Sequence, residues 1–154
     1  MKILAVDIET TGLDPSGGRI LEICAYKLSG LEITDTWHHV VDSDRGTCDL
    51  AMHAQLWGQP VTGTLSAFKA WLGEGEPWIL LGNSVTFDRD WLKYHVPGIN
   101  ISYRVVDMSS VFRFMVLAGV PFERTYGGHR AKLDIDACLS DARRAQSCMY
   151  PVPA

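Results

Sequence analysis

The 154-residue chain has the size of a single domain, and its composition, 47% hydrophobic and 21% charged, argues against a disordered or fibrous protein. No apolar run approaches the roughly 20 residues that cross a bilayer, so we expect no membrane span. A formal net charge of −4 argues against a protein that grips long duplex nucleic acid, but it allows a small anionic substrate held by metal ions.

The first part of the chain predicts three strands joined by short turns. The apolar run from Lys2 to Ile8 is the first strand, and TGLDPSGG is a turn rich in Gly, Pro and Asp. RILEICAYKL (19–28) and EITDTWHHVV (32–41) follow as two further strands. The short connections indicate an antiparallel meander. The segment 42–64 reads as irregular.

Helices and strands alternate in the rest of the chain. The expected elements are a helix from Ser66, a buried strand at 77–83, a helix at 87–96, a strand at 103–110, a helix at 109–119 and a final helix from Asp134 to Met149. This order predicts one α/β domain over residues 1–154, with a five-stranded mixed sheet flanked by helices.

The cysteines and the first residues bear on the compartment. The four cysteines form no CxxC pair, which favours reduced thiols and disfavours a structural zinc site. The start, Met1-Lys2-Ile3, leads directly into the first strand and does not resemble a secretory signal. We therefore expect a cytoplasmic protein.

Two acids end the first apolar run. Asp7 and Glu9 are two residues apart, so on a strand they point to the same face. Carboxylates are costly in a buried strand and repel each other when adjacent. A divalent cation between them is the usual compensation, so this pair predicts a metal site.

Further acids lie at predicted helix starts. Asp88 follows the buried strand LLGN, and Asp134 begins the final helix, five residues after His129. A carboxylate near a helix N-terminus is favoured by the helix dipole, so each acid taken alone is explained equally well as a first-turn residue.

Three segments resemble the motifs of the DEDD superfamily of 3'-to-5' exonucleases. VDIETTGLDP (6–15) is similar to the first motif, GNSVTFDRDWL (82–92) to the second and HRAKLD (129–134) to the third. The last has His five residues before Asp, the pattern of the DEDDh class. The resemblance implies a ribonuclease H-like fold and phosphodiester hydrolysis with two divalent metal ions, Mg²⁺ or Mn²⁺. The implied metal ligands are Asp7, which would bridge the two ions, Glu9, Asp88 and Asp134.

His129 is the candidate general base. An imidazole, with a reference pKa of about 6.5, accepts a proton from water near neutral pH. The glycines of YGGHRAK would let its loop close over a substrate. An exposed loop histidine is the alternative, and its spacing from Asp134 favours the base.

Within the DEDDh class the chain is most similar to oligoribonucleases. GNS at residues 82–84 and YRVVDMSSV at residues 103–111 carry this likeness. It implies a homodimer in which the partner's tyrosine stacks on a base, while an arginine and serines hold the terminal phosphate of short single-stranded RNA. The candidate substrate contacts are Thr10, Gly12, Leu13, Trp57, Asn83, Ser84, Tyr103, Arg104 and Ser109.

Alternatives remain open at this point. TFDRDWL contains a Phe-Asp pair that is common in proofreading nucleases, so a 3'-to-5' exonuclease acting on single-stranded DNA is the main rival. A catalytically inactive binding module is disfavoured because all five candidate catalytic residues are present. We expect Asp136 and Asp141 to be exposed helix residues, and His38 and His39 to be structural or surface residues.

Overall fold

The computed structural model describes residues 1–41 and 63–149. Within them the elements are β1 (Ile3–Thr10), β2 (Ile20–Ser29), β3 (Glu32–Val40), α1 (Thr64–Leu72), β4 (Trp78–Gly82), α2 (Thr86–His95), β5 (Ile101–Asp107), α3 (Met108–Leu117) and α4 (Ala131–Met149). Residues 42–62, with Trp57, lie outside the described residues, and α1 begins at Thr64, the last residue of the predicted irregular segment 42–64.

The five strands form one sheet in the order β3-β2-β1-β4-β5. β2 pairs antiparallel with both β1 and β3, while β1–β4 and β4–β5 are parallel. The predicted meander and the five-stranded mixed α/β sheet are therefore confirmed. Because β1 and β4 run side by side in the same direction, their C-terminal ends lie at one edge of the sheet.

Helices cover both faces of the sheet. Leu4 and Val6 pack with Phe68 of α1 and Trp91 of α2 in one core cluster. Ala5 packs on the opposite side with residues of α3 and α4. Since side chains alternate along a strand, Asp7 and Glu9 continue the row of Ala5 and lie on the α4 side, where the apolar packing stops.

The element boundaries differ from the predictions by a few residues. β1 continues two residues beyond Ile8, so Glu9 is part of the strand, and β5 begins at Ile101. α4 begins at Ala131, which places Asp134 in its first turn. No helix in the described parts of the chain is long and apolar enough to cross a membrane.

Candidate active site

Three carboxylates meet at the end of β1. Asp7 and Glu9 project from the α4 face of the strand, and Asp134 reaches them from the first turn of α4. One oxygen of each lies within 4.8 Å of the others, a spacing that fits shared ligation of a cation. The pair and the distant third acid are thus brought together by the packing of α4 on β1.

Asp88 lies in the first turn of α2, a second helix that packs on β1. It is only 3% exposed, and its Oδ1 accepts a hydrogen bond of 3.0 Å from the backbone N–H of Ile8. It lies outside the triple formed by Asp7, Glu9 and Asp134. The bond to Ile8 nevertheless holds its carboxylate beside the acid pair.

The electrostatics of this cluster are unfavourable for carboxylates alone. Burial raises the pKa of Asp7 well above its usual value, and the charges of Asp88, Asp134 and Glu9 raise it further. Burial followed by the charge of Asp134 raises the pKa of Glu9 to about 7. Burial also raises the pKa of Asp88. A divalent cation would offset both desolvation and repulsion, so the residues present fit a metal site.

Glu22 is a fifth acid near this face and, like Asp88, is fully buried; it was not among the candidate residues of the sequence analysis. It is 0% exposed and lies directly opposite Glu9 in the β1–β2 pairing. The Arg130 guanidinium donates to both of its oxygens, at 3.1 and 3.0 Å, and His38 Nε2 lies 2.6 Å from Oε1. The signal was available, since Glu22 is the only acid of the apolar run RILEICAYKL.

The ion pair between Glu22 and Arg130 connects β2 to the loop that carries His129. Burial alone would raise the pKa of Glu22, but the hydrogen bonds from His38 and Arg130 outweigh it and hold the pKa near 2. Glu22 also accepts from the backbone N–H of Ala131, at the start of α4. Arg130 in turn donates its own backbone N–H to Asp134, at 3.0 Å.

The loop is also held on the other side of His129. A Cβ on Gly127 would lie 2.4 Å from backbone atoms of Leu133 and Asp134, so no side chain fits there. His129 is exposed, with a positive φ of 60°, and its ring makes no hydrogen bond to the described residues. The loop therefore presents His129 to solvent between two fixed points.

Asp141 corrects one expectation from the sequence. It is 1% exposed, not on the surface. Its carboxylate accepts from the backbone N–H and the hydroxyl of Thr125, at 2.9 and 2.8 Å, and pairs with Arg144 at 2.6 Å. Asp141 thus anchors the segment before His129 to α4. His38 is a structural residue, as expected, because it binds Glu22.

The TTGLD turn follows the acid pair. The Thr10 hydroxyl donates to the carbonyl of Gly12 at 2.7 Å, which closes the turn. Leu13 is 89% exposed and stands out from it. The structure therefore gives Thr10 a turn-forming contact and leaves the side chain of Leu13 open to a ligand.

Ser84 and Ser109 lie together although 25 residues separate them in sequence. Both backbone N–H groups donate to Oδ1 of Asp107, at 3.1 and 2.9 Å. Ser84 has a positive φ of 54°, which is uncommon for a residue other than glycine. Both serines line a cavity of about 600 Å³ beside α3. Oδ1 of Asn83 is buried without a hydrogen-bond partner among the described residues.

Tyr103 and Arg104 lie elsewhere. Both are exposed on β5, and Arg104 Nε donates to the Tyr103 hydroxyl at 3.1 Å. They line a different surface cavity, of about 580 Å³, together with residues of the 100–102 segment. Within one chain the structure therefore does not join them to Ser84 and Ser109.

The fold and this acidic cluster define a class of protein. The mixed sheet brings acids from three distant motifs together at the C-terminal end of its central strand. This arrangement is typical of the 3'-to-5' exonucleases of the DEDD superfamily, which are hydrolases that use divalent metal ions. The exonuclease family RNase_T matches residues 4–140, and the chain belongs to that family. The prediction of the nuclease class is confirmed.

Individual relatives are distant. The chain is 24% identical to the oligoribonucleases of two strains of Vibrio cholerae serotype O1, over 176 aligned positions that cover 97% of this chain and 96% of each relative. The similarity therefore extends over nearly the whole length of both proteins.

Solved structures share the fold. E. coli exonuclease I in complex with a dT13 oligonucleotide gives a TM-score of 0.64 at 14% identity, over 95% of this chain and 41% of that one. Exonuclease I from Methylocaldum szegediense gives 0.69 at 14% identity, over 97% and 41%. This chain thus spans about two fifths of the exonuclease I chains it matches.

Proposed function

We propose that this protein is a metal-dependent 3'-to-5' exoribonuclease that hydrolyses dinucleotides and other short oligoribonucleotides to nucleoside 5'-monophosphates. The observation that carries the proposal is the carboxylate triple of Asp7, Glu9 and Asp134, with oxygens within 4.8 Å of one another. The likeness to oligoribonucleases along 97% of the chain supports the preference for short RNA.

The acids at the end of β1 hold the metal ions in this proposal. Asp7, Glu9, Asp88 and Asp134 supply hard oxygen ligands, which suit Mg²⁺ or Mn²⁺. Two such ions, when bound, neutralise charge on the phosphoryl group and on the leaving oxygen. The Ile8 N–H orients Asp88.

His129 supplies the proton acceptor. Its ring is exposed and free of hydrogen bonds to the described residues, so a nitrogen is available to take a proton from water. The water oxygen bonds to phosphorus, the bond from phosphorus to the 3' oxygen breaks, and that oxygen gains a proton. The anchors at Gly127 and Arg130 set the position of the imidazole.

The remaining expectations belong to the same proposal. Leu13 wedges against a base, and the backbone at Thr10 and Gly12 meets the 3' end, while Asn83, Ser84 and Ser109 serve the substrate's 5' side. Tyr103, 72% exposed, and Arg104 reach the substrate of a partner subunit in a homodimer. Trp57, which lies outside the described residues, is proposed as a substrate contact from the family resemblance alone. Residues 1–154 act as one exonuclease domain.

The compartment and the dimer have partial support. Cys24 and Cys138 are buried free thiols and Cys148 is an exposed one, which suits the reducing cytoplasm. Phe114 of α3 is 71% exposed, and with Tyr103 it offers apolar surface that a second copy would cover. Light scattering that shows only monomers under assay conditions would contradict the dimer.

A second candidate function is 3'-to-5' hydrolysis of single-stranded DNA. The fold shared with exonuclease I in complex with a dT13 oligonucleotide favours it. In that case the cavities beside the site would form part of an open groove.

A time course on 5'-labelled substrates with Mg²⁺ or Mn²⁺ separates the two. The substrates are an RNA dinucleotide, an RNA heptamer, a longer single-stranded RNA and the matching DNAs. We expect fast, selective cleavage of the dinucleotide, with Asp88→Ala as the control for contaminating nuclease. Stepwise shortening of long DNA that leaves dinucleotides behind would support the second function and overturn the first.

A further inference from the structure

Glu22 lies beside the cluster of candidate metal ligands but outside it. It faces Glu9 directly across the β1–β2 pairing, and cross-strand partners project from the same side of a sheet. The three acids whose oxygens lie within 4.8 Å of one another are Asp7, Glu9 and Asp134, without Glu22. The charge of Glu22 nevertheless raises the pKa of both Asp7 and Glu9. An acid so near the cluster, but not part of it, calls for a role of its own.

The hydrogen-bond donors around Glu22 fill its acceptor capacity. Its Oε1 accepts from the Arg130 guanidinium at 3.0 Å and from His38 Nε2 at 2.6 Å. Its Oε2 accepts from Arg130 Nε at 3.1 Å and from the backbone N–H of Ala131 at 3.3 Å. An ionised carboxylate has about four lone-pair positions, and these four donors occupy them. The carboxylate of Glu22 therefore holds protein groups in place and is not arranged to bind a metal ion.

Arg130 lies between the candidate base and a candidate metal ligand. It follows His129 directly in the chain. Its backbone N–H donates to Oδ2 of Asp134 at 3.0 Å, and its carbonyl accepts from the Asp134 N–H at 2.9 Å. Its guanidinium reaches both oxygens of Glu22, and a planar fork of this kind fixes orientation as well as distance. The place of Glu22 on β2 therefore sets the place of the residue next to His129.

The backbone at His129 needs such an anchor. Gly128 and His129 both have positive φ, 103° and 60°, and the second value is unfavourable for a residue other than glycine. A conformation of that type persists only when the surrounding structure enforces it. Gly127 is packed against α4 on one side, and Glu22 holds Arg130 on the other. Loss of the second contact would allow His129 to leave this conformation.

We propose that Glu22 is a positioning residue for the hydrolysis: acting through Arg130, it holds the imidazole of His129 where it can take a proton from the attacking water. This role rests on the proposed exonuclease function. Stability alone does not require the pair, since apolar side chains can replace a buried ion pair without loss. A doubly bonded, planar pair supplies a defined orientation instead, which a base must have to act on one water molecule.

A double-mutant cycle with His129 tests this role. Glu22→Gln keeps the shape of the side chain and removes its charge. At saturating Mg²⁺ and well below the Tm, it should lower kcat on an RNA dinucleotide about 10- to 100-fold and change KM less than about threefold, because a displaced base slows the chemical step. In a His129→Ala background, the same substitution should lower kcat by less than about twofold, since no base remains to be displaced.

The cycle separates positioning from a merely structural role. Loss of folded protein, or an altered metal centre, would lower kcat by similar factors whether or not His129 is present, so equal losses in the two backgrounds overturn the proposal. Lys132→Gln is the matched control, because it breaks the exposed ion pair with Asp136 at the start of α4. It should leave kcat within about twofold. An effect of Glu22→Gln no larger than that of Lys132→Gln also overturns the proposal.

A second variant covers the case in which Glu22→Gln does not fold. Arg130→Lys keeps the charge of the pair but replaces the planar fork by a single ammonium group. It should lower kcat about tenfold, and again only while His129 is present. Unchanged kcat in this variant would contradict the proposed role of the pair.

A signal from the imidazole itself keeps the test independent of turnover. The chain has five histidines, so NMR of protein with isotope-labelled histidine resolves few ring signals, and that of His129 is the one lost in His129→Ala. Glu22→Gln should shift or broaden this signal, and Lys132→Gln should not. If the wild type cleaves no oligonucleotide, the proposed function fails, and the ring signal then decides by itself whether Glu22 sets the place of His129. The same holds if His129→Ala is as inactive as Asp88→Ala. An unchanged signal overturns the positioning role.

Discussion

Glu9 and Glu22 lie directly opposite each other on adjacent strands, and the protein treats them in opposite ways. Burial and the neighbouring acid Asp134 raise the pKa of Glu9 to about 7. Glu22 is more deeply buried, yet hydrogen bonds from His38 and Arg130 hold its pKa near 2. Glu22 thus has cationic partners within the chain, whereas the charged neighbours of Glu9 are mainly other acids.

The difference shows which acids the fold itself neutralises. Arg130 lies near both glutamates but bonds to Glu22, and it offsets only part of the cost at Glu9. The fold therefore compensates Glu22 through cationic side chains of the chain itself, but leaves the charges of the Asp7–Glu9–Asp134 triple largely uncompensated. We therefore propose that Glu22 positions the His129 loop and that Glu9 is a metal ligand.

The largest effect is expected when the uncompensated cluster is changed. Asp7→Asn should lower kcat/KM on an RNA dinucleotide by at least about 100-fold. Loss of a residue that only hydrogen-bonds to a metal ligand already lowers activity or metal affinity by about 10- to 100-fold. The Tm of the metal-free protein should rise, because one repelling charge is lost. Steady-state assays and thermal unfolding in EDTA measure both. A fall in the metal-free Tm would contradict the comparison.

Glu22→Gln should have the opposite effect on stability. The substitution removes the charge of Glu22 from its ion pair with Arg130 and from its contact with His38, and breaking a largely buried pair of this kind costs about 3 kcal/mol. Urea unfolding at constant metal concentration measures the loss. Glu32→Gln, at an exposed position on β3, is the matched control and should change stability by less than about 0.5 kcal/mol. Equal effects of the two substitutions on the free energy of unfolding would show that the Glu22–Arg130 pair does not stabilise the fold.

The response to metal should depend on pH with a defined sign. The folded-state pKa of Glu9, about 7, exceeds its ordinary value of 4.5, so the metal-free protein loses stability as pH rises through that window. Mg²⁺ binds the ionised form, so its stabilising effect should grow between pH 6 and pH 8, toward about 2.7 kcal/mol at 100 times Kd. Thermal unfolding with and without Mg²⁺ measures this, and Glu9→Gln should flatten the dependence.

The smallest effect is expected from a change in the loop that precedes α4 and carries His129. Gly127→Ala places a methyl group 2.4 Å from the backbone of α4, which should cost about 2 kcal/mol and displace His129. We therefore expect a lower kcat with little change in metal affinity. Gly17→Ala is the control, because no atom lies within 4 Å of its Cβ position. Unchanged kcat in the Gly127 variant would show that the loop tolerates displacement.

Some site residues could be identified from the sequence, and others could not. Asp7 and Glu9 are acids in an apolar strand, a local pattern that is visible without any structure. Glu22 has the same pattern, but its partner Arg130 is 108 residues away, so its role depends on tertiary contact. Asp141 is predicted to be an exposed helix residue, but it is buried and accepts a hydrogen bond from Thr125, which folds back onto α4.

By itself the sequence determined the order of strands and helices, the acid pair on one face of β1 and the three motifs of the nuclease class. The elements and the acid pair follow from local periodicity and spacing, and the motifs follow from their resemblance to the DEDD superfamily. None of these needs knowledge of distant contacts. Only the tertiary structure decided which acids are compensated and that Ser84 and Ser109 lie together at Asp107. Burial and charge pairing depend on residues that are distant in sequence and adjacent only after the helices pack on the sheet.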